Sequence, residues 1–214
     1  MILNGAAVGQ SAALWDDRDD SNYDRIRDTT LKPRGLSERQ VQVVWVKVAN
    51  ANPTRSLPGA RSDAVILLTQ LGDIVRTLKV RYPNLRQVFL SSRTYGGYSR
   101  SFLNPEPYAY ESGFAVKWLI RAQIDQMARG GDVRDGRAGN LDSRTTAPWI
   151  AWGPYLWANG SIPRSDALTW TRADFEMDGV HPSRSGERKV GALLLAFFIG
   201  SPYTRCWFVA GETC

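Results

Sequence analysis

The single histidine of the chain, His181, stands three residues after a carboxylate in Asp178-Gly-Val-His-Pro182. A carboxylate at that spacing in a tight turn can accept the imidazole N–H. It then fixes the ring tautomer and frees the other nitrogen to act as a base. The same residues also suit a surface histidine in a loop that leads into a helix, with Asp178 as a turn residue. A second group of candidates is acidic. Glu106 and Glu111 lie in the aromatic stretch Asn104-Pro-Glu-Pro-Tyr-Ala-Tyr-Glu-Ser112, and Asp174 and Glu176 come shortly before the histidine. Paired carboxylates cleave glycosidic bonds when they stand roughly 5–10 Å apart. Glu111 is read more simply as an acid favoured by the dipole at a helix start.

The elements that must position these groups alternate between strand and helix patterns. Ile2-Leu3-Asn4 reads as the end of a strand running into the turn Gly5-Ala-Ala-Val-Gly9-Gln. Residues 22 to 30 are helical, with Tyr23 and Ile26 on one face. Ser37-Glu-Arg-Gln40 has capping-box form. Val41 to Val48 is rich in β-branched residues and ends at Ala-Asn-Ala-Asn-Pro, which makes it a strand feeding a loop. A helix follows from Ser62-Asp63, with Val65, Leu68, Leu71, Val75 and Leu78 as its buried stripe, and Tyr82-Pro83 ends it. Leu85 to Leu90 is the next strand, opening into a Ser/Gly/Tyr-rich loop to Ser101. A helix near Ser112 to Met127 turns Ala115, Trp118, Leu119 and Ala122 to one side. Residues 130 to 146 form a polar excursion. The last helix, Ser185 to Ile199, faces Val190, Leu193, Leu194 and Phe197 inward. This alternation predicts an α/β fold with a parallel sheet covered on both faces.

The 214 residues are 43% hydrophobic and 22% charged, which suits one domain over 1–214. The net charge of +6 comes with acids interleaved among the bases, as in Trp15-Asp-Asp-Arg-Asp-Asp20, so no nucleic-acid-binding stripe is predicted. The longest apolar run, Val190 to Ile199, is broken by Gly191 and covers half the length a membrane span needs. Met-Ile-Leu-Asn-Gly5 is not a signal peptide, so either the protein is intracellular or its true beginning is missing. With one histidine and cysteines only at 206 and 214, no zinc pattern exists, and no metal or organic cofactor is implied. A disulfide between Cys206 and Cys214 is preferred over two free thiols and would imply an oxidising compartment.

Three blocks resemble the SGNH (GDSL-like) hydrolase superfamily, in order and spacing over nearly the whole chain. Asp178-Gly-Val-His-Pro182 before the last helix is similar to its late Asp-x-x-His-Pro block. Asn4-Gly-Ala-Ala-Val-Gly9-Gln-Ser-Ala resembles its second block, and Trp45-Val-Lys-Val-Ala-Asn50 more loosely its third. The resemblance implies a flavodoxin-like three-layer α/β/α fold. It also implies an ester hydrolase of the serine type, with Asp178 and His181 as acid–base pair and Gly9 and Asn50 as oxyanion donors, Asn52 being an alternative to Asn50. Losing such a donor costs about 3 kcal/mol.

The family's first block, Gly-Asp-Ser at the end of strand one, is absent, and so is a Gly-x-Ser-x-Gly elbow. The resemblance therefore implies an N-terminally shortened sheet lacking its first strand. In a 2-1-3-4-5 sheet that loss leaves unpaired edges open to a partner strand or a second copy of the chain. Ser11, near the site of the second block, is the first substitute nucleophile. Ser91 and Ser92 follow it, and each of the three also suits a cap or turn.

Eight tryptophans are many for this length. Tyr95, Tyr98, Trp149 and Trp152 are predicted to line the substrate cleft, since open α/β sheets bind ligands beyond the carboxyl ends of their strands. Most of the other tryptophans pack loops onto the domain. The expected substrate is a small-molecule or polysaccharide ester, acetylated carbohydrate by preference, and the full-length protein is expected to be secreted. A glycoside hydrolase and a non-catalytic carbohydrate-binding remnant are the competing readings.

Overall fold

Three short runs of β-branched and aromatic residues form the sheet: β1 (Val43–Val46), β2 (Gln87–Leu90) and β3 (Trp149–Trp152). The computed structural model describes residues 1–213. The strands pair in parallel in the order β1-β2-β3, with Val46 opposite Leu90 and Leu90 opposite Trp152 at their carboxyl ends. The helices are α1 (Ser21–Arg25), α2 (Asp63–Arg81), α3 (Tyr108–Ala128), α4 (Arg184–Gly200) and α5 (Arg205–Phe208).

The period of two along each strand divides the layers. Val44, Val46, Val88, Leu90 and Ile150 point to the face covered by α2 and α3, where Leu68, Leu71, Val75, Leu78, Ala115 and Leu119 complete the main core. Phe89 points the other way and meets Phe197 and Phe198 of α4 at ring-centroid distances of 5.2 and 6.4 Å. The fold is thus a three-layer α/β/α arrangement around a parallel sheet, as the alternating pattern predicts.

Several boundaries differ from expectation for physical reasons. Ile2-Leu3-Asn4 is not a strand. No strand lies beside it to share a ladder; instead Arg25 Nη2 holds the Gly5 carbonyl at 2.8 Å. The helix at 22–30 continues past Arg25 as a wider π-turn (Ile26–Leu31) and a 3-10 turn (Lys32–Arg34). On α2, Val65 is only half-buried, while Ala64, Leu67 and Ile74 widen the stripe. Helix α3 begins at Tyr108 rather than near Ser112, because Glu106 reaches forward and accepts the Tyr110 N–H at 3.0 Å, satisfying an orphan donor of the first turn.

β1 pairs only with β2, and its other edge has no strand partner among the described residues. Consistent with that open side, the inward residues of α4 (Val190, Leu193, Leu194, Phe197) are half-buried, and Gly186 is its one fully buried residue.

The polar excursion at 130–146 is fastened by two buried amides of α3. Gln123 donates to the Leu141 and Pro148 carbonyls, both at 2.9 Å, and accepts the Ile150 N–H at 2.8 Å. Gln126 donates to the Gly131 carbonyl and Asn140 Oδ1, both at 2.7 Å, and accepts the Leu141 N–H at 2.8 Å. Gln126→Leu keeps the volume but strands the buried Leu141 N–H and removes the bonds to the part-buried Gly131 carbonyl and to Asn140. We expect it to cost about 3 kcal/mol in urea unfolding and to admit protease cleavage within 130–146.

Candidate functional site

The Asp178–His181 turn is closed by backbone bonds before its side chains act. Phe175 and Pro182 form an antiparallel bridge. The Glu176 N–H donates to the His181 carbonyl at 2.8 Å, and the Gly179 N–H to the Glu176 carbonyl at 2.9 Å. Gly179 takes a left-handed φ of +72°, and a Cβ there would drive into the Tyr98 carbonyl. The neighbouring Arg100 N–H donates to the Asp178 carbonyl at 3.0 Å. The loop after β2 is therefore clasped to the turn, which places the pair beyond the carboxyl end of the sheet.

Within the turn, Asp178 Oδ1 accepts the N–H groups of Val180 at 2.9 Å and His181 at 3.0 Å, while Oδ2 bonds His181 Nδ1. Partial burial pushes the Asp178 carboxyl up, but the His181 ring and the two backbone N–H groups outweigh it and hold it below the ordinary carboxylate value. His181 is half exposed, and its Nε2 has no partner among the described residues. A histidine so held is a base with a fixed tautomer and an open face.

The entry to α4 is built around Asp174. It is buried, pairs with Lys189 Nζ at 2.6 Å and accepts from Ser185 at 2.8 Å and from the Thr171 N–H at 2.8 Å. Burial raises its pKa, and these bonds reverse that, bringing it down to about 2. The Asp174 carbonyl also caps Ser183 N–H at 2.9 Å and lies where a Cβ on Gly186 would be. Asp174 is thus a structural anchor beneath the turn.

The other predicted residues fall in different places. Ser11 stands before a 3-10 turn (Ala12–Leu14), with its hydroxyl unbonded, and the Ala12 N–H donates to the Ala49 carbonyl at 2.9 Å. That bond ties Ser11 to the chain leaving β1, at the same end of the sheet as His181, although no bond joins the two side chains. Gly9 is exposed with φ +75°. Asn50 donates one N–H to the Asp63 carbonyl at 2.7 Å, and its Oδ1 is enclosed without a donor; Asn52 is exposed. Ser91 Oγ is committed between Trp45 Nε1 at 2.9 Å and the Pro154 carbonyl at 2.7 Å, and the Ser92 hydroxyl is buried.

Tyr98 is a support under the turn: its hydroxyl donates to the Trp170 carbonyl at 3.1 Å and its ring lies 5.9 Å from Phe175. Tyr95 packs edge-on against it at 5.1 Å. Trp149 and Trp152, read from sequence as cleft residues, form the two ends of β3. Trp149 sits at the amino end, 4.9 Å from Tyr203, and so points away from the carboxyl edge. Trp152 joins Tyr110, Phe114, Lys117 and Tyr155 around an aromatic groove of about 210 Å³. Glu106 and Glu111 each hold neighbouring chain: Glu106 accepts from Gly96 N–H and Trp157 Nε1, both at 2.9 Å, and Glu111 from Leu57 N–H at 3.0 Å. Glu176 is exposed.

No family model, curated protein or solved structure matches the chain. Its chemistry must therefore be read from its own residues. Among the described residues no three His, Cys, Asp or Glu side chains converge as a metal site, and no helix is long and apolar enough to cross a membrane. Cys206 is not a free thiol, and Cys214, its predicted partner, lies outside the described residues.

Lys47 is a residue that sequence reasoning passed over, although a lone cation in the apolar run Val41 to Val48 was a visible signal. It is half-buried and has no acceptor among the described residues. Burial, helped by the nearby charge of Arg93, pushes its pKa from the ordinary lysine value of 10.5 down to about 7. Between those values the unfolded chain binds a proton that the folded chain does not, so stability rises with pH across that window. Below about pH 7 both states are protonated and the folded state carries the full penalty. Lys47→Met is therefore expected to stabilise the fold by about 1–3 kcal/mol at pH 6, with the gain shrinking toward pH 10.5, as read by thermal unfolding across pH.

Proposed function

We propose that the chain is a serine-type ester hydrolase related to the SGNH superfamily, acting on an acylated carbohydrate or small acyl ester. The observation that carries this reading is the Asp178–His181 contact: the carboxylate holds Nδ1, leaving Nε2 open beyond the carboxyl end of a parallel sheet. Ser11 is the proposed nucleophile, because its hydroxyl is unbonded and its segment is tied to the end of β1. For Ser11 to act, its hydroxyl must come within hydrogen-bond reach of His181 Nε2 in the substrate complex. The backbone N–H of Gly9 and the second N–H of Asn50 are the proposed oxyanion donors. The groove of Tyr110, Phe114, Trp152 and Tyr155 offers the flat apolar faces a sugar ring uses, which supports a carbohydrate substrate.

The test is p-nitrophenyl acetate hydrolysis by the wild-type chain, His181→Ala and Ser11→Ala. Activity that falls about 10²- to 10⁴-fold in His181→Ala supports the reading. Equal rates in the wild type and a folded His181→Ala overturn it. A Ser11→Ala variant with full activity moves the nucleophile elsewhere and leaves the histidine's role standing.

A further inference from the structure

Lys47 and Arg93 stand together at the carboxyl end of the sheet, on one face of it. Val46 is opposite Leu90 in the β1–β2 ladder, so continuing the register sets Lys47 beside Ser91, with Arg93 two residues further along the same face. Trp45, on that face, bonds Ser91 directly. The two cations are exceptional in this protein. Every other lysine or arginine that is not exposed donates from its side chain to a carbonyl or a carboxylate: Arg25, Arg27, Arg76, Lys79, Arg81, Arg164, Arg172 and Lys189. Lys47 and Arg93 have no such acceptor among the described residues, and the Arg93 Nε is fully enclosed without a partner. Burial lowers the Arg93 pKa, opposed by the charge of Asp178, so the guanidinium lies within electrostatic reach of the acid–base pair.

Two adjacent, partly buried cations with no carboxylate bonded to either repel each other and lose hydration. A bound anion would relieve both costs. Arginine contributes a planar fork matched to a carboxylate, and lysine a point charge beside it. We propose that Lys47 and Arg93 form a carboxylate-binding subsite next to His181, which selects an ester carrying a second, free carboxylate. The substrate part of this inference rests on the esterase reading; the binding part does not.

The test is titration calorimetry with malonate, and with neutral malonamide as control, on the wild type, Lys47→Met, Arg93→Gln and His181→Ala. The expected result is binding of malonate and not malonamide, weakened roughly tenfold or more in Lys47→Met and in Arg93→Gln and unchanged in His181→Ala. Lys47→Met is an apolar substitution that removes a desolvated charge, so its fold is not at risk. As a second readout, malonate should raise the Lys47 pKa from about 7 in an NMR titration, because a bound anion favours the charged amine. Malonate affinity that is the same in the wild type and both cation variants overturns the proposal. So does an absence of malonate binding together with a Lys47 titration that malonate does not move. If malonate binds as expected while His181→Ala leaves ester hydrolysis unchanged, the subsite stands and the esterase reading falls.

Discussion

On the proposed esterase reading, Asp178→Asn lowers ester hydrolysis by about 10⁴-fold while the protein stays folded. The substitution changes one thing at the turn. An asparagine oxygen in the Oδ1 position still accepts the Val180 and His181 N–H groups, which are bonded at 2.9 and 3.0 Å, so the backbone of the turn keeps its closure. In the Oδ2 position an NH₂ now faces Nδ1. Two donors cannot share that contact, so the ring must accept there and carry its proton on Nε2, the nitrogen the reaction needs as a base. The carboxylate also stabilises the imidazolium that forms in the transition state, and an amide does not. The check is kcat for p-nitrophenyl acetate beside a thermal unfolding curve. A rate within tenfold of wild type would show that the His181 tautomer does not depend on Asp178.

Gly179→Ala is the other large effect. Its φ of +72° costs a residue with a Cβ about 1–2 kcal/mol. The added methyl also meets the Tyr98 carbonyl, which is backbone and cannot rotate away. Either the turn or the loop after β2 must move, and with it the Arg100 bond to the Asp178 carbonyl at 3.0 Å. We expect about 3 kcal/mol of destabilisation and a loss of activity larger than the loss of folded protein explains. Urea unfolding measured beside specific activity separates the two. A variant as stable and active as wild type would mean that the clasp between loop and turn is dispensable.

How far the sequence disclosed this depends on the range of each interaction. The Asp178–His181 contact is legible because both partners sit in one glycine-containing turn. The α2 stripe is legible because helical period alone sets it, and the three-layer arrangement follows from alternating strand and helix patterns. Strand β3 was not legible: Trp149-Ile-Ala-Trp152 is four residues between Pro148 and Gly153-Pro154, too short for a period, and its two tryptophans are read instead as cleft residues. The buried amides of Gln123 and Gln126 fall on an otherwise ordinary helix, and their partners lie 5 to 27 residues away. The isolation of Lys47 and Arg93 is visible only when every neighbour is known. The reach of Glu106 to Tyr110 set the start of α3 one turn earlier than the apolar pattern did.

Because Gln123 and Gln126 grip the excursion largely through backbone carbonyl and N–H groups, the sequence of its outer tip is left free to drift. Asp132, Val133 and Arg134 are exposed there, and the tip touches neither the His181 turn nor the Lys47–Arg93 pair through any bond. That tip is a natural graft point: a fluorophore-binding tag or a short reporter loop inserted between Val133 and Arg134 would ride on a rigid mount, far in bonding terms from the chemistry, and would let the protein be labelled without touching its site.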